Sequence, residues 1–301
     1  MDHRKQSRRE FVRFAVAAAF PLFFPLHAVA PKFPRESQST DDEICRSCLR
    51  RGQKESLHLM PMGDLVTVMG KTFIGRPYAP GTLEQSGPER LVVNLREFDC
   101  VTFCETSLGL ARSIKMHETS VEGYRRQLQL LRYRDGVISG YASRLHYFCD
   151  WIGDNARRGV VEDITKDLGG VPDEKTIDFM SKHRAYYPRL SDQTIFGQIV
   201  AMEKQLSSRK RFILPKERVE KVLDQIGNGD IIGIASSEEG LDISHTGIAV
   251  KEGKLTKLLH APNVGKSVQI SHGLLTEYLA SHQAQTGIMV ARPRDPALPP
   301  G

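Results

Sequence analysis

The sequence predicts an α+β fold in which helices pack on a small antiparallel sheet. Residues 101–115 and 193–206 repeat apolar side chains at helical spacing. Beyond residue 229 the chain changes to short apolar or alternating runs, at 230–235, 246–250 and 254–259, separated by glycine-containing turns. Helices first and strands later favour α+β over an alternating βαβ arrangement.

Residues 1–30 have the features of an export signal. Basic residues precede an apolar stretch at 14–26, and Ala28-Val29-Ala30 supplies the small residues of a cleavage site. Ser7-Arg8-Arg9-Glu10-Phe11-Val12 looks like a twin-arginine signal, so we expect the twin-arginine export machinery as a partner. The apolar stretch is shorter than the roughly 20 residues of a membrane span. We therefore expect a periplasmic or otherwise extracytoplasmic protein with no stable membrane span after signal removal.

The composition indicates a globular protein without a nucleic-acid partner. The 301 residues are 40% hydrophobic and 26% charged, and the net charge is +6. Residues 1–30 hold five basic and two acidic side chains, so their removal lowers the net charge to +3. No basic patch interleaved with aromatic residues remains for nucleic acid to bind. Five cysteines are too few for a disulfide-stapled scaffold of this length.

Residues 31–55 mix proline, serine, threonine and charges, which predicts a flexible linker before a single domain over 56–297. Cys45 and Cys48 in this stretch lack the second cysteine pair of a zinc site, so a local disulfide or two unused thiols is the better interpretation. Within the domain, Pro215 predicts the start of a further helix over 216–226.

The helix at 101–115 carries a candidate nucleophile in its first turn. Asp99 is placed to cap this helix, which puts Cys100 where unpaired N–H groups and the helix dipole favour a thiolate. The same N–H groups could hold an oxyanion. Cys104 lies one turn deeper and is interpreted as a packing residue. Packing is the alternative for Cys100 as well, because free cysteine is among the most buried residue types.

Two histidines could supply the base. His245 stands at the entrance to the strand at 246–250, and His260 ends the next strand. A hairpin joined at residues 251–253 would bring the two imidazoles to neighbouring positions, where His260 could fix the tautomer of His245. Cys100, His245 and His260 together form a nucleophile, a base and an orienting group.

These residues resemble a known superfamily. Residues 95–103 look like the Asp-Cys nucleophile element of NlpC-type papain-like cell-wall hydrolases, and residues 229–232, 244–248 and 260–261 resemble their base and third-residue elements. Gly75-Arg76-Pro77-Tyr78 resembles the loop whose tyrosine lies beside the nucleophile.

The closer resemblance is to the N-acetylmuramoyl-L-alanine amidase-like family, over roughly residues 57–295. It is carried by residues 133–136, 141–148, 150–152 and 240–245. The resemblance implies a papain-like (NlpC-type) core and hydrolysis of an amide in peptidoglycan fragments, with a muropeptide as substrate and without metal or organic cofactor. One departure from the family pattern is Cys104, four residues after the nucleophile.

The segment at 141–147 is the candidate substrate-binding region. Arg144, His146 and Tyr147 are a suitable lining for a sugar with an acidic or carbonyl-bearing substituent, although core packing and a structural ion pair are the alternative. The resemblance favours substrate binding by these three residues and by Tyr78. Asp242 could accept a hydrogen bond in the site or hold the turn before the strand.

The predicted function is an exported cysteine amidase acting on the N-acetylmuramoyl–L-alanine bond. One alternative keeps the chemistry and changes the bond to one within the stem peptide. A second is a non-catalytic glycan-binding module, and the least favoured is a zinc site formed by Cys100, His245 and His260.

Overall fold

The computed structural model describes residues 35–263 and 267–297, and the α+β class is confirmed. Nine α-helices lie in this part of the chain: α1 Arg35–Lys54, α2 Met62–Lys71, α3 Cys100–Lys115, α4 Val121–Arg132, α5 Phe148–Arg157, α6 Phe179–Lys182, α7 Gln193–Ser208, α8 Lys216–Val219 and α9 Leu275–Ala280. The same residues form eight strands: β1 Val161–Asp163, β2 Val171–Pro172, β3 Phe212–Pro215, β4 Ile231–Ser236, β5 Ile243–Glu252, β6 Leu255–His260, β7 Gln269–Ile270 and β8 Gln285–Pro293.

The strands form one antiparallel sheet in the order β2-β3-β8-β4-β5-β6-β7, and β1 also pairs with β8. The three strands predicted from the sequence are β4, β5 and β6, and they are adjacent as expected. Glu252 pairs with Leu255, so the hairpin between β5 and β6 closes through two residues. The sheet is larger than the predicted three strands because β8, the last strand along the chain, inserts between β3 and β4.

Helices cover both faces of this sheet. Ile231 packs in the cluster that contains Phe103 and Leu108 of α3. Its neighbour Ile232 packs in a second cluster, with Leu275 of α9. Successive residues of a strand point to opposite faces, so β4 is buried along its whole length. This arrangement fixes α3 against one face of the β4–β5–β6 hairpins.

The prediction of a flexible linker over residues 31–55 is wrong for residues 35–54, which form α1. Cys45, Cys48 and Leu49 are buried in the core, and both cysteines are free thiols. Asp41 is also buried, and its Oδ1 accepts hydrogen bonds from the Leu95 backbone N at 2.9 Å and from Arg96 Nε at 3.0 Å. The segment is ordered because its few apolar residues fall on one helical face, and this face packs on the domain.

The helix predicted over 216–226 is shorter than expected. It ends at Val219 and continues as a single 3₁₀ turn to Val222. Asp230 accepts a hydrogen bond from the Gly227 N–H at 2.7 Å, and this contact holds the chain in a turn before β4. The predicted signal at residues 1–30 lies outside the described residues. Within the described residues, no helix has the length and apolar character needed to cross a membrane.

We expect Asp41→Ala to destabilise the domain by about 1–3 kcal/mol, because the change leaves the Leu95 N–H and the Arg96 guanidinium without this buried acceptor. Chemical denaturation measures the effect. Glu55→Ala, directly after the same helix, is the matched control, because the exposed ion pair of Glu55 with Arg51 should contribute less than about 1 kcal/mol. Equal stabilities for the two variants would contradict the assignment of α1 to the folded domain.

Candidate functional site

The site begins at the capped end of α3. The Asp99 Oδ1 atom accepts a hydrogen bond from the Thr102 N–H at 2.7 Å, and Thr102 Oγ1 accepts one from the Asp99 N–H at 3.0 Å. This reciprocal pair is a capping box, so the predicted cap is confirmed and α3 starts at Cys100. The cap places the Cys100 side chain in the first turn of the helix, as the sequence predicts.

Cys100 is half-buried, and the backbone N–H groups of Thr246, Cys100 and Val101 lie near enough to its sulfur to influence the pKa of the thiol. These donors lower the pKa of the thiol, but burial has the larger effect and the nearby Asp99 carboxylate adds to it. Together they raise the pKa of Cys100 to about 12. The expectation that the helix start favours a thiolate is therefore wrong for the resting site, because desolvation outweighs the N–H donors.

The interaction with the Thr246 N–H also places Cys100 close to the histidine pair. His245 directly precedes Thr246 on β5, and its Nε2 lies 2.7 Å from Nδ1 of His260 on β6. The two histidines are therefore neighbours, as predicted from the hairpin. Since Nε2 is used in this contact, Nδ1 of His245 is the nitrogen left to take a proton.

Both imidazoles are neutral. Burial lowers the pKa of His245 to about 3, and electrostatic interactions with His260 and His282 lower it further. Burial also lowers the pKa of His260 to about 4, again with a contribution from His282. Gly247 lies between the two histidines in the hairpin, and a Cβ there would lie 3.0 Å from the His260 Cβ. A glycine at this position allows the imidazoles to meet.

Two tyrosines flank Cys100. Tyr78 forms a β-bridge with Phe98, two residues before Cys100, and the pKa of its phenol is raised by burial, with a further contribution from Cys100. Tyr278 of α9 also interacts electrostatically with Cys100, and its pKa is raised to about 12, mainly by burial. Its ring stacks on His245 and contacts His260 edge-on. Tyr278 is not among the residues predicted from the sequence, because no motif near residue 278 links this short helix to the hairpin.

Arg144 lies in a buried ion network. Its Nη2 atom pairs with Glu84 at 3.0 Å, and its Nε atom lies 3.4 Å from Glu89. The guanidinium carbon of Arg144 lies over the Tyr141 ring, 4.7 Å from the ring centroid. His146 uses Nε2 to contact the Tyr141 carbonyl at 2.9 Å. Burial, together with the positive charge of Arg144, lowers the pKa of His146 to about 3, so this imidazole is neutral.

Tyr147 and Asp242 make contacts that hold the fold. The Tyr147 hydroxyl donates to Glu203 at 2.7 Å and accepts from the Met180 N–H at 2.8 Å, which joins α6 to α7. The Asp242 carboxylate accepts from the Cys149 N–H at 2.7 Å, in the first turn of α5, and from its own neighbour Ile243 at 2.8 Å. For Asp242 the structure favours the turn-holding alternative over a hydrogen bond in the site.

Across residues 35–263 and 267–297, the structure brings Cys100, His245, His260 and Tyr78 together. In the same ranges it shows no hydrogen bond from Arg144, His146, Tyr147 or Asp242 to Cys100 or the two histidines. A substrate-binding role for the second group therefore stays a prediction.

The chain matches the model of the N-acetylmuramoyl-L-alanine amidase-like family over residues 68–288. The chain belongs to this family. The resemblance inferred from its motifs is thereby confirmed. No curated protein sequence matches the chain.

Solved structures of three bacterial proteins share the fold. An N-acetylmuramoyl-L-alanine amidase from Bacteroides uniformis is 35% identical, with a TM-score of 0.74 over 78% of this chain and 99% of the amidase. A Bacteroides fragilis protein provisionally described as a xylanase is 37% identical, with a TM-score of 0.71 over 75% of this chain and 99% of its own. A Legionella pneumophila protein is 20% identical and shares the fold, with a TM-score of 0.65 over 87% and 98% of the two chains.

We expect the alkylation rate of Cys100 by iodoacetamide to rise about tenfold per pH unit between pH 6 and 9, because the thiolate fraction grows in this way below a pKa of about 12. Mass spectrometry of the Cys100 peptide measures the rate, and Cys100→Ala controls for labelling at other cysteines. A rate that is already constant above about pH 5 would instead indicate a preformed thiolate–imidazolium pair and contradict the neutral resting site.

Proposed function

We propose that this protein is an exported cysteine hydrolase that cleaves the amide bond between N-acetylmuramic acid and L-alanine in peptidoglycan fragments. One observation carries the proposal. Cys100 begins α3 and interacts with the backbone N–H of Thr246, the residue after His245, and Nε2 of His245 lies 2.7 Å from Nδ1 of His260. A nucleophile, a base and an orienting group are thus held on rigid elements.

Attack begins from the neutral thiol. Nδ1 of His245 takes the Cys100 proton as the sulfur attacks the lactyl carbonyl carbon, which forms a C–S bond and places a negative charge on the carbonyl oxygen. For Nδ1 to accept this proton, Nε2 must carry the other ring proton. Nε2 then donates a hydrogen bond to Nδ1 of His260, and this bond fixes the tautomer of His245. The N–H groups at the start of α3 hold the oxyanion.

Collapse of this intermediate completes the acylation. The C–N bond breaks, and the imidazolium of His245 returns its proton to the leaving amine of L-alanine. A water molecule, deprotonated by His245, then attacks the thioester carbon. The C–S bond breaks, the carboxylic acid of the muramoyl group leaves, and the sulfur regains its proton.

Family membership and the B. uniformis amidase support the choice of a peptidoglycan substrate. They also favour an extracytoplasmic location, in agreement with the signal features of residues 1–30. In this proposal Tyr78 contributes to the substrate site next to Cys100, and His146 offers its Nδ1 to a donor on the sugar or the peptide. Arg144 has an indirect effect in this proposal. Its ion pairs with Glu84 and Glu89 set the shape and the charge of the loop that carries these two residues.

The glycosidase description of the B. fragilis relative does not fit the groups around Cys100. Most glycosidases use two carboxylates on either side of the scissile bond. The carboxylate closest in sequence to the thiol is Asp99, which is already engaged in the capping box. The other groups that the structure places around Cys100 are imidazoles and phenols, which suit acyl transfer.

The purified protein should convert a disaccharide–tetrapeptide into free disaccharide and intact tetrapeptide, as measured by liquid chromatography and mass spectrometry. Cys100→Ala should lower kcat/KM by at least about 10³-fold, because it removes the nucleophile. Cys104→Ala, which removes a buried thiol in contact with Thr246, is the matched control and should keep most of the activity.

Other products would contradict the assignment in distinct ways. A disaccharide carrying a shortened stem would identify an endopeptidase. Loss of activity in Cys104→Ala but not in Cys100→Ala would remove the proposed nucleophile. Inhibition by a chelator, reversed by added zinc, would favour the metal alternative. Binding without turnover by the unmodified protein would indicate a glycan-binding module.

Replacing Arg8 and Arg9 by lysine should leave the protein in the cytoplasm, because a twin-arginine signal requires the arginine pair. Cell fractionation followed by immunoblotting measures the distribution. Arg4→Lys is the matched control outside the motif and should be exported normally. Export of the double variant at the unmodified level would contradict this part of the proposal.

A further inference from the structure

We infer that Tyr278 is a positioning residue whose ring holds the His245–His260 pair in contact and shields it from water. The inference rests on the proposed function, since it assigns Tyr278 a task in the same site. It concerns a residue of α9, an element that the motif-based prediction did not include.

The Tyr278 ring contacts both histidines of the pair. The Tyr278 ring is stacked on His245, with an interplanar angle of 29° and 6.1 Å between centroids. It meets His260 edge-on, at 87° and 5.3 Å. The two imidazoles are themselves perpendicular, at 74°, so the tyrosine fits in the corner they form. Movement of either imidazole away from the other would have to displace this ring.

The phenol hydroxyl interacts with the side chain of Gln285, a buried residue at the start of β8, and this interaction lowers its pKa slightly against the larger effect of burial. With a pKa raised to about 12, the phenol keeps its proton at neutral pH and adds no charge beside the pair. The contribution of Tyr278 to the histidines therefore comes from its ring, through packing and the exclusion of water.

The titratable groups in and around the histidine pair come from four elements and one adjoining residue. Within the described residues they are the pair itself, His245 of β5 and His260 of β6, together with Cys100 of α3, Tyr278 of α9, and His282 just after α9. His282 contacts the Tyr278 ring at 5.0 Å, and its Nδ1 lies 3.0 Å from the Tyr278 carbonyl. This contact keeps a third imidazole behind the tyrosine, where its electrostatic interaction contributes to the lowered pKa of both members of the pair.

Shielding matters because only neutral His245 can take the thiol proton. Burial is the largest cause of the low pKa at both His245 and His260. Opening this side of the pair to water would stabilise the imidazolium and move the pKa up toward the ordinary value of about 6.5. The base would then be blocked by protonation at mildly acidic pH.

Tyr278→Leu and Tyr278→Phe separate the ring from the hydroxyl. In the leucine variant we expect the acidic limb of kcat/KM to move up by at least one pH unit, and kcat to fall more than KM changes. In the phenylalanine variant we expect the limb to stay within about 0.3 pH units. Tyr186→Leu removes an exposed tyrosine ring that also stacks on a histidine, His183, and is the matched control.

A titration without turnover makes the inference independent of the substrate. NMR of the imidazole C–H protons in a Cys100→Ala background should show the pKa values of His245 and His260 rising in Tyr278→Leu and remaining low in Tyr278→Phe. Circular dichroism checks that both variants fold. If the unmodified protein cleaves no muropeptide, the proposed function fails while this titration still tests Tyr278.

Two results would overturn the inference. One is a folded leucine variant whose histidine pKa values match those of the unmodified protein. The other is an equal rise in the leucine and phenylalanine variants, which would assign the effect to the hydroxyl and not to the ring.

Discussion

The capping box at the start of α3 is the contact on which the arrangement of the site depends. Asp99 and Thr102 fix the first helical residue, and therefore fix which side chain occupies the N-terminal turn. From Thr102 to Ile114 the helix is buried on all sides, so it cannot rotate without disturbing the core. One turn after Cys100, the Cys104 sulfur lies 3.8 Å from Thr246 Oγ1. The register between helix and strand that brings Cys100 to His245 is thus set by packing as well as by the cap.

The support of this helix extends to a part of the chain that precedes the family match. The match begins at residue 68, whereas α1 ends at Lys54. Through Asp41, α1 holds Leu95 and Arg96, a few residues before the cap. Arg132 of α4 pairs with Glu105 of α3 and donates to the Val92 carbonyl. The loop that leads to Cys100 is therefore anchored from two sides, which limits the freedom of the thiol before any substrate binds.

The sequence predicts the parts of this structure that depend on local chemistry. The cap, α3 and the β5–β6 hairpin follow from residue types and periodicity, and the pairing of the two histidines follows from the hairpin. The linker prediction failed because α1 is mostly polar and its buried face is formed by Asp41, Cys45, Cys48, Leu49 and Gly52. Their spacing is helical, but only one is a large aliphatic residue. Tyr278 and the central position of β8 result from contacts between distant segments, which periodicity does not reveal.

Burial favours the neutral form of both the proposed nucleophile and the proposed base. It raises the pKa of the Cys100 thiol and lowers the pKa of the His245 imidazole, so both changes favour the neutral pair over the ion pair. The backbone N–H groups around the sulfur act in the opposite direction and are the weaker influence in the resting site. A bound carbonyl changes this balance, since negative charge then spreads from sulfur to an oxygen that the same end of α3 can hold. The structure thus favours proton transfer that accompanies attack on the substrate, and it leaves little reactive thiolate in its absence.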